Sequence, residues 1–266
     1  MHSFSRAKFL TLALGGLVGT LSTALISCGN GSQTVGGAAE ESFVAITQIV
    51  EHPALNAVRD GVKDELAEAG YTEGETLRWE WQSAQGSPVA ATQIASKYAG
   101  AQPDVLVAIA TPSAQFVTAA TSDTPVIFSA VTDPVGAELV EDAEKPGGNI
   151  SGVSDLSPIK QQLELIQEIM PEVKTLGVIY SASKDNSVSL VALINENAPD
   201  LGIEIEAVTV STSGEVADVA RSLVDTVDAI YVPTDNTVVS ALESVIQVGQ
   251  EAQVPVFAED TDSLER

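Results

Sequence analysis

The sequence predicts an α/β protein built as two Rossmann-like lobes, each with a parallel sheet, joined by a hinge. Three observations carry that prediction. Short β-branched runs alternate with longer amphipathic stretches from residue 42 onward. Their order in the first half recurs in the second, and a glycine-rich break, Gly147-Gly148-Asn149-Ile150-Ser151-Gly152, separates the halves.

Taken in order, residues 43–50 read as a strand and 53–69 as a helix, with Gly70 just past its end. Strands follow at 76–81, 104–110 and 125–130, with helices at 88–100 and 112–122 between them. The second half runs strand 175–180, a helix from Asn186 to near Leu201-Gly202, strand 203–210, helix 213–227, strand 229–232, helix 235–252 and strand 255–258. The match reaches single residues: Asn56-Ala57-Val58 is answered by Asn186-Ser187-Val188, and Thr124-Pro125-Val126 by Val254-Pro255-Val256. The expected division is a first lobe over 42–150 and a second over 151–258, with 259–266 starting a return hinge. Hinge segments are expected near 147–156 and 258–262. Two such sheets placed face to face share one cleft beyond the carboxyl ends of their strands.

Charge removes one class of function. The chain carries 37 acidic and 12 basic residues, a net charge of −25, with no basic stripe. Such a surface repels phosphate backbones, so no nucleic-acid partner is expected.

The N-terminus reads as an export signal over 1–27: Arg6 and Lys8, then an apolar stretch from Phe9 to Ile26. It closes on Leu25-Ile26-Ser27-Cys28, which resembles the bacterial lipobox, with Cys28 the lipidated residue. Residues 28–41 would be the lipidated cysteine and a flexible tether rich in glycine. The chain would then sit in the bacterial cell envelope, exported and held at the membrane by an N-terminal lipid anchor. Cys28 is the only cysteine, so no internal disulfide can form.

The strand-to-helix loops hold the candidate site. Thr111 suits an N-cap and Pro112 the first helical position, which would leave the N–H groups of Ser113 and Ala114 to receive a carboxylate. Opposite, Thr234-Asp235-Asn236 opens the matching helix, and Asp235 could accept an ammonium group or cap that helix. Residues 181–187 form a hydroxyl-rich loop with Ser183, Asn186 and Ser187. Gln48 ends the first strand, and Val131, Thr132 and Asp133 follow the fourth. Asp260 is expected at the hinge or cleft. His52, the one histidine after the signal, reads as structural or exposed more readily than as a ligand or base.

No nucleophile elbow, P-loop, dinucleotide fingerprint or zinc motif is present. Histidine- and thiol-based metal sites and Cys/His catalysis are therefore nearly excluded. No cofactor, metal or catalytic residue is expected.

With these parts assembled, the chain resembles the ABC-transporter substrate-binding family that includes tryptophan- and tyrosine-type binding proteins, with the type I periplasmic-binding-protein fold. The matching stretches include "DVLVAIATPSAQ" from Asp104, "PVIFSAVTDPVGAELV" from Pro125, "GGNISGVSD" from Gly147, "GVIYSASKDNS" from Gly177, "VPTDN" from Val232 and "PVFAEDTDS" from Pro255. The resemblance implies a monomeric receptor that binds a small molecule, often an aromatic amino acid, and hands it to an ABC permease by closing its lobes. It also implies that Ser113 and Ala114 receive the carboxylate, with Asp235 and Asn236 among the opposing contacts. Family members return to lobe one after "EDTDS", so a chain stopping at Arg266 is expected to lack a last element of that lobe. The competing reading is a receptor that reports ligand to a signalling partner, which neighbouring genes would distinguish.

Overall fold

The structure, a computed structural model, describes residues 41–259. The first sheet contains β1 (Ser42–Gln48), β2 (Leu77–Ser83), β3 (Val105–Ile109), β4 (Val126–Val131) and β5 (Ile150–Ser154), in the order β2-β1-β3-β4-β5. The second contains β6 (Thr175–Tyr180), β7 (Glu204–Thr209), β8 (Ala229–Val232) and β9 (Val256–Ala258), in the order β7-β6-β8-β9. All the strand pairs are parallel. Counting from the first strand of each sheet, both run two-one-three-four. The repeat legible in the sequence is thus a repeat of topology.

Parallel neighbours need crossovers and, except between β4 and β5, where residues 132–149 connect through turns, helices supply them. In the first lobe these are α1 (Pro53–Glu68), α2 (Pro88–Ala101) and α3 (Thr111–Ala120). Proline in the first turn sets each start, and Ser87 caps α2 by accepting the Ala90 N–H. The second lobe has α4 (Ile159–Ile169), α5 (Asp185–Asn197), α6 (Val216–Leu223), α7 (Asn236–Val239) and α8 (Leu242–Ala252). The single helix expected over 235–252 is broken at Ser240-Ala241. There the Ala241 N–H turns back to the Val238 carbonyl at 2.9 Å, and the Ser240 hydroxyl to that of Thr237 at 2.8 Å. These tight bonds end α7 after one turn.

Strand alternation sorts the second lobe into two half-cores. Leu176, Val178 and Tyr231 face α4 and α5, meeting Leu163, Leu190 and Ile194. Ile179, Ile230 and Val232 face the other way, onto Leu223, Leu242 and Val245. The helix α4 was not anticipated, although Ile159, Leu163 and Ile166 hold the helical spacing and are buried.

A second correction concerns the glycine-rich break. From Ile150 it is a strand, β5, paired with β4 from Val126↔Ile150 onward, so the first sheet runs on to Ser154. Gly152 is there for closeness rather than flexibility. A Cβ at this position would lie 2.1 Å from the Phe128 carbonyl oxygen and 2.4 Å from its ring. Gly152→Ala is expected to destabilise the protein by about 2 kcal/mol, the usual cost of overpacking, read as a lower urea midpoint.

Candidate ligand-binding site

The carboxyl ends of strands from both sheets converge on a cavity of about 200 Å³ between the lobes. His52, Leu55, Thr111, Ala130 and Thr132 come from the first lobe, and Asn186, Thr234, Asn236 and Val239 from the second. Asp155, just after β5, completes the wall. One side is apolar, made by Ala54, Leu55, Val58, Ala130 and Val239. The other presents polar atoms that the protein itself leaves unmatched. Thr111 Oγ1, Asn186 Oδ1 and Thr234 Oγ1 are buried without a hydrogen-bond partner, as is Ser113 Oγ. Each such group costs roughly 1–3 kcal/mol. Their concentration around one cavity is what a site awaiting a polar ligand looks like.

The backbone is strained at the same place. Ala110, at the end of β3, has φ +75° and ψ 154°, a region that is close to glycine-only. Ala130 has φ +53°, within the irregular register of β4 against β5. The first turn of α3 thereby differs from expectation. Ala110, not Thr111, is the N-cap residue, and Thr111 is the first helical residue with its hydroxyl left free at the cavity. The Ala114 N–H is already taken by the Ala110 carbonyl at 3.1 Å. Ala114 is fully buried, and its N–H is spent inside the helix rather than left open as the sequence suggested. Ala110→Gly is expected to raise stability by about 1 kcal/mol, because glycine adopts this conformation without the Cβ penalty. Chemical denaturation of the variant checks it.

Among the described residues, Asp155 is the carboxylate that lines the cavity. Its N–H donates to the Val131 carbonyl at 3.2 Å, and Ser154 before it binds the Thr132 carbonyl through its hydroxyl at 2.9 Å. The end of β5 therefore fixes its position. The residue is exposed to solvent, and only the partial crowding of its carboxyl by the cavity walls raises its pKa above the ordinary value. Hydrogen bonding to Thr132 and to its own backbone opposes this more weakly.

Of the two roles the sequence allowed Asp235, helix cap and ammonium acceptor, its bonds are those of the cap. It is fully buried. Oδ1 accepts the Thr237 and Val238 N–H groups at 2.7 and 3.1 Å, capping α7. Oδ2 accepts the Ser181 N–H and the Ser187 hydroxyl, both at 2.6 Å. Its acceptor capacity is spent within the second lobe.

The other expected residues divide. Thr111, Thr132, Asn186 and Asn236 line the cavity. Ser113 is buried and is not part of the cavity wall, and Val131 is core. The Gln48 amide binds the Val50 carbonyl at 2.8 Å and Asn56 at 2.9 Å, shaping the loop before α1. Ser183 bonds Ser181 at 3.0 Å and lines a neighbouring cavity instead. Asp133 and Asn236 join the lobes: the Ser189 hydroxyl reaches Asp133 at 3.3 Å, and His52 Nε2 meets Asn236 Oδ1 at 3.1 Å. A third link runs from Gln115 to Asp185 at 2.5 Å. His52 is thus buried at the cavity. Asp260 and Cys28 lie outside the described residues.

Sequence reading missed Asp155, Leu55, Ala130 and Val239. Asp155 closes the quoted "GGNISGVSD" stretch, where a carboxylate beside a hinge was the available signal. Ala130 carries no signal at all, since nothing in its identity announces a positive φ.

Two similar lobes, strand ends meeting at one cavity and ligand-ready polar atoms around it define a two-lobed solute-binding protein of the type I periplasmic-binding-protein fold. The family of ABC transporter substrate binding proteins matches residues 43–266, and the chain belongs to it. A tyrosine-binding protein of Clostridioides difficile strain R20291 is 37% identical, over 97% of this chain and 76% of that protein. A Streptococcus pneumoniae ABC domain solved in complex with L-Trp superposes with a TM-score of 0.82 at 37% identity, over 85% of this chain and 76% of that one. The ligand-free, open structure of CD0873, a substrate binding protein with adhesive properties from Clostridium difficile, gives only 0.59 despite 41% identity, over 82% and 74% of the two chains. These relatives bind substrates and are not enzymes, and the chain is a binding protein rather than a catalyst. Among the described residues no helix is long and apolar enough to cross a membrane.

Proposed function

We propose that this protein captures an aromatic amino acid, tyrosine or tryptophan, between its lobes and delivers it to an ABC permease from a lipid anchor at Cys28. The observation that carries the proposal is the cavity. Unpartnered Thr111, Asn186 and Thr234 atoms face an apolar wall of Leu55, Val58 and Val239, with the Asp155 carboxylate beside them. An amino acid has matching parts. The ammonium group pairs with Asp155, the carboxylate takes donors at the first turn of α3, and the side chain lies on the apolar wall.

The lobes already touch through His52–Asn236, Ser189–Asp133 and Gln115–Asp185. The greater likeness to the tryptophan complex than to the open, ligand-free relative supports reading this as the closed form. Closure then works by differential affinity: the ligand satisfies polar atoms that only the closed lobes bury together. The site residues in this reading are Thr111, Thr132, Asp155, Asn186, Thr234 and Asn236, with His52 and Asp133 as closing contacts.

A thermal-shift screen of the protein against the twenty amino acids, followed by calorimetry, tests it. Tyrosine or tryptophan should raise the melting temperature, since a ligand of the folded state stabilises it by mass action. A cooperative melt unmoved by every amino acid would end the assignment.

A further inference from the structure

A second cavity, of about 340 Å³, lies between the lobes and shares only Asn236 with the first. Its first-lobe wall is Val50 and the turn Gln85–Pro88 that opens α2; its second-lobe wall includes Ser183, Lys184 and Thr212. Most of the lining is serine or threonine, and among the described residues no carboxylate lines it, in a chain with 37 acidic residues. The cation is Lys184. Its Nζ donates to the Thr237 hydroxyl at 2.5 Å, which leaves two of its three protons to other partners. It makes no ion pair among the described residues. Burial lowers its pKa, and the charge of Asp235 only partly opposes this.

The acidic groups nearby are occupied elsewhere. Both oxygens of Asp235 accept bonds within its own lobe, Asp185 accepts from Gln115, Glu51 accepts from Gln85 at the rim, and Glu215 accepts the N–H of the lining residue Ser211 at 2.8 Å. The positive end of the α2 dipole, from one lobe, and an unpaired ammonium, from the other, therefore meet in a cavity rich in hydroxyl donors.

We propose that this cavity is an anion site, taking a small oxyanion (a phosphate or a carboxylate) held by Lys184 and the surrounding hydroxyls. Because its walls come from both lobes, the site is complete only when they are closed. An oxyanion bound there and a solute bound in the first cavity strengthen each other by the same factor. Only this coupling rests on the function proposed above; anion binding itself does not.

The test is calorimetric titration of the full chain with sodium phosphate, and separately with sodium acetate, at ionic strength held constant with sodium chloride. Wild type should bind at least one of the two at millimolar concentration or tighter, and the preferred anion identifies the source. Lys184→Gln should weaken that binding at least tenfold while retaining a cooperative melt, and Lys184→Arg should keep it within about threefold. Neither anion binding beyond the chloride control would overturn the proposal, whatever the amino-acid screen shows. So would binding to folded Lys184→Gln that matches wild type. With tyrosine as the second ligand, saturating anion should tighten its Kd severalfold. An unchanged Kd would overturn the closure coupling, and absence of any tyrosine binding would count against the function reading alone.

Discussion

Asp155→Asn is expected to weaken binding of an aromatic amino acid about thirtyfold, roughly 2 kcal/mol, with little loss of stability in the empty protein. The figure sits at the low end for breaking a charge pair that the ligand itself covers, because Asp155 is solvent-exposed before the ligand arrives. The sign for the empty protein follows from the raised pKa. A carboxyl whose folded pKa lies above its unfolded value favours the fold at low pH, and that contribution is lost as pH rises through the folded pKa. At neutral pH the ionised Asp155 is therefore a cost, and the amide removes it. Ligand affinity runs the other way. The carboxylate must be charged to hold an ammonium group, so wild-type affinity should fall as pH drops through the raised pKa, beginning above the range of an ordinary aspartate. The variant should show a flatter profile there. Calorimetry from neutral pH downward, with melting curves of the empty protein, separates the two effects. A variant that binds normally would remove Asp155 from the site.

That this residue had to be found in three dimensions says where sequence reading stops. The sheets were legible because each strand carries its own signal: β1, β3, β6 and β8 are β-branched runs bounded by turns, and their repeated order shows the duplication. Cleft position was legible for Thr111, Thr132, Asn186 and Asn236, because strand-to-helix loops of parallel sheets share one end. Asp155 belongs to no such loop. It follows an edge strand whose glycine, required by contact with Phe128, made the segment read as a break. His52 depends on a partner 184 residues away, Asn236, and no local pattern encodes such a contact. Asp235 shows the opposite limit. Its sequence position fits a cap and a ligand contact equally well, and only the bonds around it decide.

Those bonds make Asp235→Ala the most damaging substitution expected for the fold. Four donors lose their acceptor: the Thr237 and Val238 N–H groups of the α7 cap, the Ser181 N–H after β6 and the Ser187 hydroxyl in α5. The carboxylate thus ties the ends of β6 and β8 to the starts of α5 and α7. Loss of a cap costs about 0.5–2 kcal/mol, and each buried donor left unmatched about 1–3 kcal/mol more. With relaxation admitting water to some of them, a loss of about 4 kcal/mol is expected, or roughly a 10 °C fall in melting temperature for a chain of this size. Ser187→Ala removes only one of the four bonds and should cost about 1 kcal/mol. The two roles weighed for Asp235 give different results. A structural cap predicts a large drop in stability, with tyrosine affinity reduced only as far as the loops carrying Asn186 and Asn236 are disturbed. An ammonium acceptor predicts near-normal melting with binding abolished. Urea denaturation and calorimetry on the same preparation decide between them, and a variant that melts like wild type would refute the cap.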